Sequence, residues 1–349
     1  KILKYKHFMG VIKMGKSIKR IAAALLASTL CMGVLAGCGG KEEAPSAEGT
    51  KGKDAPKVAL IMQGPISDMA WNATAYKGLT EIEKLGAEVS YQENVAVTSL
   101  ADSMRTYATE GYDLIFLSTN SYEDIAKTTA PEFPDTQFIL INGTESKDNL
   151  CALQIADEDQ GFMMGAIAAI ASPGKNVGFV GGEEITPIIN GQKGFEQGAK
   201  YIDDTIKINA TLTGNMNNVN QAKETAKALI GTGVDVIAPM CDQSAVGVLE
   251  AAEEGKVKSV CSGPEQEASA PNSGLMAVVK DTSIAYVAAY NKYVKGELGS
   301  DVVKMGAKEG VVFLTDWFTG ATDLSDEQKA KVKETYDALA KGEITINLD

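Results

Sequence analysis

Asn176-Val177-Gly178-Phe179-Val180-Gly181-Gly182 decides the fold, because this apolar run opening into a glycine turn restarts a pattern already completed once upstream. It reads as a buried strand followed by a turn that serves either close backbone approach to a ligand or hinge, or simple tight packing. Downstream, helical spacing at 188–202, 219–230 and 245–254 alternates with strand-like runs at 206–212, 235–239 and 257–261. Upstream, strand-like runs at 57–62, 87–92, 113–117, 136–141 and 150–155 enclose helical spacing at 71–85, 100–110 and 122–130, and a helix at 161–171 joins the two series. Short apolar strands alternating with helices are the pattern of parallel sheets covered on both faces. The expected fold class is therefore α/β, with two open parallel-sheet lobes. A strand at 275–279 and a helix at 282–295 cross back to the first lobe, and a late strand at 311–314 and a helix at 325–340 finish the chain. The predicted first lobe is 57–156 plus about 281–305, and the second is 157–280 plus about 306–349. Ligands of such open sheets sit at the carboxyl ends of the strands, which places a cleft between the lobes.

Composition narrows the chemistry. The chain has 349 residues, 44% apolar and 23% charged, enough for two lobes without disulfide staples. Seven of the 33 Lys and Arg residues and none of the 46 Asp and Glu precede Cys38, so the remainder carries 26 basic against 46 acidic groups, a net of −20. A body this acidic, with no dense basic patch, repels a phosphate backbone, and nucleic acid is not expected as a partner. The only histidine, His7, lies in the leader, which removes imidazole triads and His-ligated metal from the rest. Arg105 is the one arginine after the leader, so a multi-arginine clamp on an anionic ligand is absent. After the leader no Walker A or Gly-x-Gly-x-x-Gly motif occurs. No cofactor and no catalytic residue is predicted, and a neutral ligand fits best.

Residues 1–37 read as upstream sequence and a signal peptide: Lys16, Lys19 and Arg20 precede an apolar stretch over 21–35 that is short for a bilayer span. Leu35-Ala36-Gly37-Cys38 looks like a bacterial lipobox, making Cys38 the lipidation site and the membrane a partner through acyl chains. Residues 38–56 lack apolar periodicity and read as a flexible tether. Cys151, Cys241 and Cys261 read as buried thiols, with a Cys241–Cys261 disulfide left open.

Two loops attract attention. Gln63-Gly64-Pro65-Ile66-Ser67-Asp68-Met69-Ala70-Trp71-Asn72 leads from the first strand into a helix N-terminus, where Ser67 or Asp68 suits a cap. An indole beside the Asn72 amide suits a flat heterocycle, which stacks on the ring while the amide reads its edge, although Asp68 as a mere cap and Trp71 as mere core also fit. Asp157 and Asp159, near the lobe boundary, lack an accompanying nucleophile, so helix capping or ligand hydrogen bonding suits them better than acid–base catalysis.

In order, these features resemble the basic membrane protein family of bacterial lipoproteins, substrate-binding components of ABC transporters that include purine nucleoside receptors. The resemblance covers about residues 57–345. Asp68-Met69-Ala70-Trp71-Asn72 is similar to the family's Asp-x-Ser-Phe-Asn element, with Trp71 in the place of the stacking phenylalanine. Gly178-Phe179-Val180-Gly181-Gly182, Gly194-Phe195-Glu196-Gln197-Gly198-Ala199 and Gly233-Val234-Asp235-Val236-Ile237 resemble its glycine element, its Gly-Phe-x-x-Gly-Ala helix and its Gly-Ala-Asp-Val-Ile strand. Val278-Val279-Lys280 places Lys280 where the family has a ligand-contacting lysine. The resemblance implies a type I periplasmic-binding-protein-like fold and a ligand site of Asp68, Trp71, Asn72, Asp157, Met240, Asp242, Ser262 and Lys280. Asp157 would read a purine edge, and Lys280 and Asp242 would contact hydroxyls. The family's acidic ribose clamp is replaced by Val260-Cys261-Ser262-Gly263.

The function expected is that of an extracytoplasmic, lipid-anchored substrate-binding protein that captures a small neutral ligand, a purine nucleoside or nucleobase, by lobe closure and delivers it to an ABC permease without chemistry. A sugar or other small metabolite as ligand, a sensory role, and a secreted acid-only hydrolase are the competing readings.

Overall fold

A strand covered by helices on both faces has no solvent side, so its residues need no polar alternation. Leu114–Leu117 (β3) illustrates this, buried along its whole length. The structure, a computed structural model, describes residues 55–67, 71–299 and 301–349. The expectations for the leader, for Cys38, for most of the 38–56 tether and for Asp68 lie outside the described residues.

The first sheet contains β1 (Lys57–Ile61), β2 (Glu88–Gln92), β3, β4 (Gln137–Ile141), β5 (Leu150–Ile155) and β11 (Val303–Met305), in the order β11-β5-β4-β3-β1-β2 with every pair parallel. Its strands send alternate residues to opposite faces. Val58, Leu60, Phe116 and Ile139 pack against α1 (Trp71–Lys84) and α8 (Thr282–Val294). Ala59, Ile61, Ile115 and Phe138 pack against α2 (Leu100–Thr109) and α3 (Glu123–Thr129).

The second sheet contains β6 (Asn176–Gly181), β7 (Lys207–Leu212), β8 (Val236–Met240), β9 (Lys258–Cys261), β10 (Gly274–Lys280) and β12 (Val312–Leu314), in the order β12-β10-β9-β8-β6-β7. Helices α4 (Asp157–Ala171), α5 (Thr186–Ile202) and α9 (Asp326–Ala340) cover one face, and α6 (Val219–Gly231) and α7 (Ala245–Gly255) the other. Three details differ from the sequence reading. The edge strand β12 runs antiparallel to β10, so the second sheet is mostly rather than wholly parallel. Strand β11, three residues long, was not expected at all. Helix α4 begins at Asp157, four residues before the apolar spacing starts, because Asp157, Glu158 and Asp159 suit the positive end of a helix dipole.

The chain passes between the sheets at Ala156, at Asp281 and over residues 306–311. These crossings are hydrogen-bonded to one another: the Ala156 amide donates to Met305 O at 2.8 Å, and the Asp281 amide to Val311 O at 2.9 Å.

The glycines of the Gly-Phe-x-x-Gly-Ala helix have a packing reason. A Cβ on Gly194 would lie 2.1 Å from Glu158 O, and one on Gly198 would lie 1.9 Å from Phe162 O. From the facing helix, a Cβ on Gly161 would meet Gly191 O at 1.9 Å and one on Gly165 would meet Phe195 O at 2.0 Å. Helices α4 and α5 therefore touch backbone to backbone. Cys151, Cys241 and Cys261 are buried free thiols, which closes the question of a Cys241–Cys261 disulfide.

Candidate ligand-binding site

Strand order locates the site before any side chain is considered. In the first sheet the chain winds outward from β1 to β2 and then reverses through β3, β4 and β5, so the topological switch lies between β1 and β3. In the second it lies between β6 and β8. Loops leaving neighbouring strands diverge at such a point and leave a crevice.

Trp71, the first residue of α1, comes off β1, and its indole Nε1 donates to the carbonyl of Ser118, just after β3, at 2.6 Å. That bond fixes the ring at the first switch. At the second, the Gly182 amide donates to Met240 O at 3.1 Å. Between the switches is a cavity of about 400 Å³, within the range of small-molecule sites.

Trp71, Asp157, Met240, Asp242, Ser262 and Lys280 all line it. Asn72 does not. Its side chain packs over Gly64, where an added Cβ would approach Nδ2 to 2.5 Å. Sequence reasoning missed Asn142, Gln160 and Met216, which also line the cavity. The Asn142-Gly143 pair after β4 was a signal for the first: Asn142 adopts φ +57°, a left-handed conformation that asparagine tolerates better than most residues. Asp242, facing it from the other lobe, is likewise left-handed at φ +51°. Gln160 is held by donating from Nε2 to Val278 O at 2.8 Å. Ser262 is engaged by Gln266, whose Oε1 accepts from the Ser262 amide at 2.9 Å and whose Nε2 donates to Ser262 Oγ at 3.0 Å. A second cavity, about 520 Å³, shares Asn142, Ile155, Asp157, Ile185 and Pro187 with the first and adds Asn120, Gln154, Asn190 and Lys304, among others.

The charges at the lobe boundary are paired. Lys280 Nζ, at the end of β10, forms an ion pair and hydrogen bond with Asp157 Oδ1, whose residue is 5% exposed. Lys304 on β11 pairs with the buried Glu158 on α4. The Ala307 amide donates to Asp159 Oδ2 at 2.8 Å. Three consecutive carboxylates at the start of α4 thus hold the second crossing, the edge strand of the first sheet and the third crossing.

Burial pushes the Asp159 carboxyl up to about 6; the Ala307 hydrogen bond and the Lys304 charge act the other way, while Glu158 and Glu309 add to the rise. Because the folded chain then binds this proton more tightly than the unfolded chain, this group adds stability as pH falls from about 6 towards 4 and withdraws it as pH rises. Asp159→Asn keeps an oxygen for the Ala307 amide and removes the buried charge. It is expected to be more stable than the parent at pH 8 by at most about 3 kcal/mol, with the gain shrinking between pH 6 and pH 4. Urea unfolding at pH 8, 6 and 4 checks this; a difference independent of pH contradicts it.

Two doubly wound lobes joined by three crossings, with one cavity at both switch points, define a two-lobed solute-binding fold. A solved ABC transporter solute-binding protein from Conexibacter woesei has this fold, with a TM-score of 0.67 at 22% identity over 84% of this chain and 99% of that one. The chain belongs to the Bmp family, described as ABC transporter substrate-binding protein PnrA-like, which matches residues 55–347. Among relatives, a purine-binding protein of Brucella abortus is 27% identical over 292 residues, 82% of each chain. The ABC transporter nucleoside-binding protein BmpA of Lactococcus lactis is 24% identical over 355 residues, 94% of this chain and 99% of its own. Substrate-binding proteins of ABC transporters take small ligands outside the cytoplasm and work with permeases. No helix among the described residues is long and apolar enough to cross a membrane.

Proposed function

We propose that this protein is the receptor of an ABC importer, binding a purine nucleoside or base between its lobes and releasing it unaltered to the permease, while lipid on Cys38 holds it at the membrane. One observation carries the ligand class: the cavity has an indole fixed by its own hydrogen bond on one side and, on the other, a lysine whose charge Asp157 already engages. A stacking plane with no free cation among the described lining residues suits an uncharged heterocycle and disfavours a phosphate. The names of the Brucella and Lactococcus relatives support the same class. In this reading Asp157 and Asn142, which line the cavity, would read donor groups at a purine edge, and Asp242 and Ser262, which also line it, would accept from hydroxyls.

Closure needs only a ligand that prefers the closed form, since population shifts by differential affinity. The reading has no chemical step, and a secreted hydrolase is disfavoured because no histidine accompanies the cavity's acids. The test exploits the presence of only two tryptophans, Trp71 and Trp317. Guanosine, adenosine or inosine is expected to quench fluorescence and raise the melting temperature in the parent and in Trp317→Phe, whereas guanosine 5′-monophosphate leaves both unchanged. A flat response to every purine contradicts the proposal.

A further inference from the structure

The two walls of the cavity differ in kind. On the first lobe, Trp71 is locked by the 2.6 Å bond to Ser118 O and offers a flat, fixed surface. On the second lobe the apolar lining consists of Ile185, Pro187 and Ile188 together with two thioethers, Met216 from the loop after β7 and Met240 at the end of β8. Each sulfur rests over a glycine. A Cβ on Gly182 would come within 2.1 Å of Met216 Sδ, and a Cβ on Gly191 within 2.5 Å of both Sδ and Cε of Met240. Neither glycine has positive φ, so the space above it, rather than backbone conformation, is what glycine supplies. Trp71 is the only aromatic side chain among the described residues lining this cavity.

From this asymmetry we infer that Met216 and Met240 set the breadth of ligands the site accepts. The inference rests on the planar-guest reading above and adds which residues govern selectivity within it. Methionine has three side-chain torsions and a polarisable sulfur with no strict hydrogen-bonding demand, so it re-forms its contact around guests of different outline. Rigid side chains such as Trp71, Ile185 and Ile188 discriminate by shape; the two thioethers follow the guest, as adaptable methionine surfaces do in broadly specific binders. Selection among purines then falls to the few polar groups, and substituents facing the thioethers are tolerated.

The test compares affinities across a fixed panel of adenosine, guanosine, inosine and hypoxanthine for the parent, Met216→Ile and Met240→Leu. Isoleucine and leucine keep the apolar volume and stiffen the side chain, so folding is checked by melting temperature and the readout is the ratio between strongest and weakest binding. The parent is expected to bind all four within about tenfold, and at least one variant to widen that ratio at least about fivefold by losing some ligands and keeping others. A parent ratio already above about a hundredfold, or a ratio unchanged in both variants, overturns the inference while leaving nucleoside binding intact. A parent that binds none of the four overturns the planar-guest reading itself, a result distinct from either.

Discussion

Gly165→Ala is expected to be among the most damaging single-methyl changes in the second lobe. The new Cβ would sit 2.0 Å from Phe195 O, 2.8 Å from its carbonyl carbon and 2.9 Å from its Cα, all backbone atoms of α5. No side-chain rotation relieves a contact with a neighbouring helix's main chain. Helix α5 cannot retreat cheaply either, since Phe195 is fully buried with its ring centroid 5.4 Å from that of Phe179 on β6. Overpacking of this kind costs about 3 kcal/mol or more, roughly 6–12 °C in melting temperature for a lobe of this size. Gly231→Ala is the control: the position is at the end of α6, nothing lies within 4 Å of the added carbon, and alanine favours helix. It is expected to melt at or slightly above the parent. A Gly165→Ala protein melting within about 2 °C of the parent contradicts the backbone-to-backbone account of α4 and α5.

The largest effect on binding is expected from Trp71→Ala. The substitution removes the stacking surface together with the bond to Ser118 O that aims it. Burying a large aromatic contributes about 1.5–3 kcal/mol, and ring–ring stacking about 0.5–1.5 kcal/mol more. The dissociation constant for guanosine should therefore rise about 30- to 2,000-fold. Trp71→Phe retains a ring and loses the anchor, so a rise of only about 3- to 10-fold is expected. Calorimetric titration separates the two, and a Trp71→Ala protein binding within threefold of the parent contradicts the assignment.

Much of this architecture was readable in advance because its determinants are local. Strands such as β3 and β4 are continuous apolar runs, and α9 announces itself through Ser325 and Gln328, which form a reciprocal capping box. What escaped has non-local causes. Strand β11 is Val303-Lys304-Met305, too short for periodicity, and exists because β5 offers it an edge. The antiparallel sense of β12 follows from the path of the third crossing, on which composition is silent. At the site, residue types drew attention to Trp71 and Asp157 and the family resemblance to Lys280, but the pairing of Asp157 with Lys280 spans 123 positions and appears only in three dimensions. Met216 was invisible for the opposite reason: a methionine in a polar loop carries no motif, and its place in the cavity wall depends on the space above Gly182.

Equilibrium dialysis against labelled guanosine, followed by chromatography of the released ligand, tests the proposed receptor function most directly. The account predicts about one equivalent retained per chain and recovered as intact guanosine after prolonged incubation. Failure to retain the nucleoside, or recovery of free guanine and ribose, would contradict it.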